Sequence, residues 1–301
     1  MPRGDCGGAR REHVLRTMMD ANQVAEAVAD CLVRAGSTVL PGKKEAYRRA
    51  IEAERDETAK WLLQTILDNI EAAERDRSPL CDDTGIPHVL LELGPGRSVT
   101  GELLGAVEKG VAEGLRRLPA RPMAVRGEGE ERLGQALGMY DDPAALECAP
   151  MAIRRTDEDV LKVYVLMFGG GPAIRGRSYR VFHRHDYRNV EAQIVEWAVE
   201  ACSKLGCTPC TLAVGIGRSH YEAATLMLQA QVDGSYENQS PMERRITDAV
   251  NASGVGAMGM GGSTTVLGTF LKVGPARASG VRIVCLRPCC CFEPRVESVI
   301  L

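Results

Sequence analysis

The chain is short of several things. No apolar run is long enough to span a bilayer. Its first residues, MPRGDCGGARREH, lack the apolar stretch of a secretory signal. Aromatic residues make up only 4% of the sequence, so large rings cannot be the main core filler. The net charge is −3, from 37 basic and 40 acidic residues, which excludes a strong electrostatic footprint for nucleic acid. There is no internal repeat and no low-complexity linker. A cytoplasmic protein with neither nucleic acid nor membrane as partner is expected. A chain of 301 residues suits one large domain or two small ones, and buries a core without staples.

Cysteine and glycine, by contrast, are plentiful. There are 11 cysteines, an odd number in a long chain with no export signal. Metal binding or catalysis therefore explains them better than a disulfide framework. The 32 glycines suggest that close turns shape the molecule.

Hydrophobic periodicity predicts helices over 21–35, 44–76, 98–118, 188–205, 219–231 and 240–253. Ser240 and Pro241 supply an N-cap and a first-turn proline. Strands are expected over 88–93, 160–168, 210–217, 263–273 and 281–287, the second running straight into Gly169, Gly170 and Gly171. Helices and strands intermix throughout, so the fold class is α/β (mixed α+β), with helices flanking small β-sheets.

Several motifs carry little. Gly254-Val-Gly256-Ala-Met-Gly259 matches a dinucleotide fingerprint, but it follows a helix and precedes a β-branched run, the wrong context. Cys207-Thr-Pro-Cys210 resembles a redox dithiol, yet it leads into a strand rather than a helix. It could also join Cys289–Cys291 in a zinc site. His183 and His185 would share one face of a strand, beside the basic residues Arg175, Arg177, Arg180 and Arg184. A solvated edge accounts for them as well as an anion site does.

The segment Pro79-Leu-Cys-Asp-Asp-Thr-Gly85 is less ordinary. Asp and Gly suit a turn, but a cysteine before two carboxylates asks for a reason. Cys81, Cys207 and the Cys289–Cys291 group each lie beside a turn or strand end, far apart in sequence. Three thiolates gathered from distant segments suit an iron–sulfur cluster with one iron left open. Such an iron is a Lewis acid for a hydroxyl and its neighbouring carboxylate.

These residues resemble the α subunit, or N-terminal domain, of class I iron–sulfur hydro-lyases: class I fumarate hydratase and L(+)-tartrate dehydratase. PLCDDTGIP is similar to the family's C-x-D-T-G, with Asp82 where glutamine is commoner. GCTPCTLAVGIGRS is similar to its second cysteine segment, and GAMGMGGSTTVL to its glycine loop. The resemblance implies a [4Fe-4S] cluster held by Cys81, Cys207 and Cys289. A register built on Cys291, Phe292 and Arg295 gives Cys291 as the alternative third ligand. It further implies Asp83 as a catalytic residue and Asp82, Arg121, Gly170, Gly171 and Arg277 around the substrate. The family's polar residues after the glycines are replaced by Pro172-Ala173-Ile174, and its histidine falls on Arg277. The expected substrate is therefore a small dicarboxylate other than, or besides, fumarate. Residues 1–301 are expected to form one α-type domain, with 1–19 poorly ordered. The swivelling domain that bears the base would sit on a β subunit, in a homo- or hetero-oligomer. A non-catalytic iron–sulfur or zinc protein used for interaction or sensing is the alternative.

Overall fold

A computed structural model describes residues 19–301. Cys6, and all but the last residue of the stretch expected to be poorly ordered, lie outside the described residues. Helix α1 (Ala21–Ser37) starts in a capping box, in which Asp20 accepts from the amides of Asn22 and Gln23 while Gln23 reaches back to Asp20.

The long helix expected over 44–76 is two helices, α2 (Lys43–Ala53) and α3 (Glu57–Asp76). The break has a local cause. Glu54 turns inward and accepts from Ser263 N at 2.7 Å and Ser263 Oγ at 2.9 Å. Asp56 then caps α3 by accepting from Ala59 N at 2.8 Å.

Eight strands among the described residues form two sheets. The first has the order β2-β1-β3-β8, from β1 (Ile86–Leu93), β2 (Ala152–Arg155), β3 (Leu161–Phe168) and β8 (Val296–Ile300). The second has the order β4-β7-β5-β6, from β4 (Arg177–Phe182), β5 (Cys210–Gly217), β6 (Val266–Val273) and β7 (Val281–Cys289). Both sheets are mixed: β1–β2 and β5–β6 pair parallel, and the other neighbours antiparallel. The mixed α/β class expected from the sequence is the class found. The paired histidines are not on a strand, because β4 ends at Phe182. Arg184 and His185 adopt left-handed turn geometry (φ 50° and 58°), and His185 N donates to His183 Nδ1 at 2.9 Å.

Helices α1 and α4 (Gly101–Arg117), the latter followed by the short α5 (Gly129–Leu133), cover the first sheet, with Val28, Leu32, Val107 and Leu115 of α1 and α4 packed on Val89 and Val163. On the second, α7 (Tyr187–Leu205) and α9 (Pro241–Asn251) bury Ile194, Trp197 and Ile246 against Leu212 and Val284. A further core joins the two sheets, with Leu90, Leu166 and Phe168 meeting Leu228 of α8 (His220–Asp233), Tyr236 and Phe270. Residues 290–295 cross between the sheets, since β7 belongs to the second and β8 to the first.

Candidate functional site

Four loops meet near that crossing. The first follows α3. Leu80 is buried in the α2/α3 core together with Cys291. Cys81 is half-buried, its thiol donates to Asp83 O at 3.4 Å, and burial pushes its pKa up to about 11. Asp83 O also accepts from Arg295 Nη1 at 2.9 Å. Gly85 turns with φ 92°, and a Cβ there would stand 2.7 Å from Arg295 Nη2. A side chain has neither the backbone freedom nor the room. Thr84 Oγ1 accepts from Arg121 N at 3.0 Å, which sets Arg121 beside the loop. The Arg121 guanidinium reaches Asp82 at 3.3 Å, and both side chains are largely exposed.

The second loop leaves β3. Gly169 N donates to the Glu293 carboxylate, and Gly169 O accepts from Arg287 Nη2 at 3.0 Å. Gly170 N donates to Asp83 Oδ2 at 2.8 Å. A Cβ on Gly169 would lie 2.9 Å from both carboxylates, so the close approach requires glycine. The short helix α6 (Gly170–Arg175) follows, with Pro172 buried and Ile174 exposed.

The third and fourth loops carry the other thiols. Cys207, after α7, is exposed, and its backbone O accepts from Cys291 N at 2.8 Å. The Cys207 thiol is drawn down to about 6, chiefly by its interaction with the thiol of Cys291; burial and the nearby Asp83 and Asp82 oppose this, and Arg175 assists it. The buried Cys291 thiol meets both Cys207 and Cys290, and its own pKa moves upward. Cys290 in turn lies within the field of Cys81.

The structure thus brings Cys81, Cys207, Cys291, Asp83 and Gly170 to one place, with Gly171, Asp82 and Arg121 at the rim. Cys289 is elsewhere. As the last residue of β7 it pairs opposite Thr211, and its buried thiol donates to Gln231 Oε1 on α8 at 3.3 Å. The chain turns after that strand, and the turn, not the strand, delivers a thiol to Cys207. Arg277 is also elsewhere. It is exposed in the β6–β7 loop, at the opposite end of β7 from Cys289. A strand of that length separates them by roughly 25 Å. Cys210 faces the core, where its thiol lies 3.4 Å from that of Cys202, so it does not pair with Cys207.

Sequence reasoning missed the floor of the site. Glu293 is buried and bridged by Arg287 at 2.9 Å and Arg295 at 3.5 Å. Arg287 also stacks over Phe168, 4.1 Å from the ring centroid, and Phe168 stacks on His88. Burial lowers the pKa of His88. From α2, Lys43 Nζ donates to the carbonyls of Glu293 and Cys290, and Tyr47 Oη donates to Cys291 O at 2.8 Å. Only Arg295 had a sequence signal, as the arginine four residues after Cys291. A cavity of about 480 Å³ between the N-terminal ends of α1 and α4 and the end of β8 shares no residue with this site.

Among the described residues, no three His, Cys, Asp or Glu side chains are grouped for a single metal ion. With Cys210 turned away, the four-ligand zinc arrangement does not assemble. A larger group fits better. Thiols arrive from three separate loops, and Lys43, Arg287 and Arg295 outnumber Glu293 in the buried floor. Soft donors around a positively charged floor suit an anionic, thiolate-ligated iron–sulfur cluster.

Residues 25–299 match the family model described as fumarate hydratase (Fumerase). The L(+)-tartrate dehydratase subunit alpha of Escherichia coli K12 is 25% identical over 276 residues, covering 89% of this chain and 88% of the relative. The subunit of the same name from Shigella sonnei shows the same figures, 25% over 276 residues with 89% and 88% covered. A Methanocaldococcus jannaschii protein, provisionally named as subunit alpha of that enzyme, is 24% identical over 277 residues, covering 88% of this chain and 94% of its own length.

Proposed function

The chain belongs to the fumarate hydratase (Fumerase) family, and from that premise we propose that it is the α subunit of an iron–sulfur hydro-lyase. Its substrate would be a small 2-hydroxy dicarboxylic acid of the malate or tartrate kind. The cofactor would be a [4Fe-4S] cluster on Cys81, Cys207 and Cys291. The observation that carries this is the convergence of these cysteines on Asp83, whose carboxylate is fixed by Gly170 N at 2.8 Å.

Bound there, the cluster would supply a Lewis-acidic iron that eases departure of hydroxide. The chain's own residues do the rest of the positioning. The amide of Gly170 holds the Asp83 carboxylate in place, where it can accept a hydrogen bond from a substrate hydroxyl. The Gly170–Gly171 turn lets the ligand approach main chain closely. Arg121 can clasp a carboxylate bidentately. Its exposed pairing with Asp82 costs little to give up, since such surface pairs contribute about 0–1 kcal/mol. The base that takes the α-proton would come from a β subunit, as part of a cytoplasmic hetero-oligomer.

The test is anaerobic co-expression with the β subunit and a screen of hydroxy-diacids. Dehydration of at least one, with bound iron and sulfide lost in Cys81→Ser, Cys207→Ser and Cys291→Ser but kept in Cys289→Ser, is the expected result. Retained iron in Cys291→Ser with loss in Cys289→Ser would overturn the third ligand. One observation favours a non-catalytic reading: Ala173 and Ile174 present apolar side chains to solvent beside the site. A loaded complex that turns over no hydroxy-diacid would support it.

A further inference from the structure

One buried charge lacks a partner of opposite sign. Lys43 opens α2 and is 0% exposed. Its ammonium donates only to main-chain carbonyls, those of Glu293 and Cys290. Among the described residues, no carboxylate lies within ion-pair distance of it. The nearest acid in its field, Glu293, is already bridged by Arg287 and Arg295. The floor beneath the cysteines therefore holds two more positive charges than negative ones. An uncompensated ammonium in a dry interior is among the costliest things a fold can bury. The other groups in the field of Lys43 are the thiols of Cys290, Cys291 and Cys289, of which Cys291 is a ligand in the reading above. A neutral thiol compensates little; a metal-bound thiolate, as part of an anionic cluster, compensates a great deal.

We propose that Lys43 is the buried counter-charge for the anionic, thiolate-ligated group of this site, leaving the empty protein with a positive charge that the loaded protein neutralises. This rests on the cluster reading given above. It assigns a role to a residue from the first quarter of the chain that touches no substrate. Lys43 would act through the Cys290–Glu293 turn, as a positioning and electrostatic residue.

The proposal separates from a merely structural role by sign. Lys43→Met keeps the length and removes the charge. A structural lysine would destabilise both forms of the protein when lost. A counter-charge would not: removing it should leave the iron-free chain as stable or more stable, because a buried charge replaced by an apolar group of similar volume is often neutral or stabilising. Only the loaded form should lose stability. Reduction adds negative charge to a cluster, and a nearby cation favours it. The midpoint potential should therefore fall in the variant.

The experiment compares the full chain, co-purified with its β subunit, in iron-free and anaerobically loaded forms. Melting temperature, iron release to a chelator and redox titration followed by paramagnetic resonance are the readouts. Lys43→Met should narrow the gap in melting temperature between the two forms, speed iron release several-fold and shift the potential negative. Tyr47→Phe, which removes the hydroxyl bond to Cys291 O without changing charge, should lower both forms alike and leave the potential in place. A Lys43→Met protein that melts lower in both forms with an unchanged potential would overturn the proposal, as would one that cannot be obtained folded without iron. Wild-type protein with no bound iron and sulfide would overturn the cluster reading itself, a result distinct from either.

Discussion

The floor and the rim of the site are built on opposite principles. In the floor, Glu293 and Arg295 side chains are 1% exposed and Arg287 is 6% exposed. At the rim, Arg121 is 59% exposed and Asp82 86%. Both regions pair arginine with carboxylate, yet the energetics differ in kind. Arg287, Arg295 and Glu293 have left water, so each of the three must keep its partner. The rim charges remain solvated and pair loosely. The floor therefore sets where the Asp83 turn and the Gly169–Gly170 turn stand, and the rim is free to exchange its internal partner for a ligand.

Removing the floor carboxylate should break this contrast most strongly. Glu293→Ala leaves Arg287 and Arg295 buried together and frees Gly169 N, and should cost about 3–5 kcal/mol in denaturant unfolding. A loss below about 1 kcal/mol would mean that the floor is no more demanding than the rim. Gly85→Ala tests the join between the two. It forces a side chain into a left-handed turn against Arg295, and about 1–3 kcal/mol should be lost. A wild-type unfolding curve for that variant would show that the turn can shift.

Thiol reactivity sharpens the comparison at neutral pH. In the iron-free protein, Cys207 should be alkylated with a midpoint near pH 6, and Cys81 only near pH 11. The signs of their contributions to stability are opposite. The lowered Cys207 pKa favours folding above the ordinary thiol value of about 8.5, an effect lost as pH falls through about 6. The raised Cys81 pKa favours folding below about 8.5, and is lost as pH rises through about 11. Equal alkylation profiles measured by peptide mass spectrometry would contradict this. The smallest effect on stability should come from Arg121→Ala, within about 0.5 kcal/mol, while turnover with the β subunit falls. Unchanged kinetics would remove Arg121 from the site.

What the sequence made legible follows the range of the forces. β3 was plain because Val163, Val165, Leu166 and Met167 form a buried run. α9 was plain because Ser240 and Pro241 punctuate it locally. The division of the helix at Glu54 was hidden, since the carboxylate's partner, Ser263, lies more than two hundred residues on. The same holds for the floor: nothing near Lys43 or Glu293 in sequence announces that they meet. Cys81 and Cys207 stood out because each lies beside a turn or strand end, and Asp83 through the family resemblance. The choice between Cys289 and Cys291 depended on where β7 stops, which is set by its pairing with β5 and not by the cysteines themselves. Arg277 lies away from the cysteine loops for the related reason that a β-strand carries its two ends far apart.

The crossing of residues 290–295 from one sheet to the other also bears on how the protein is made. Its far anchor is β8, which pairs with β3 across more than a hundred residues of intervening chain. Until that long-range pairing forms, the Cys81 and Cys207 loops can be in place, but the turn bearing Cys291 lacks its second mooring. On the cluster reading proposed above, iron that arrived earlier would find an unfinished cradle. Loading would then follow folding, and Val299→Asp, which disrupts the pairing of β8 on β3, should hinder it although Cys81, Cys207 and Cys291 all remain.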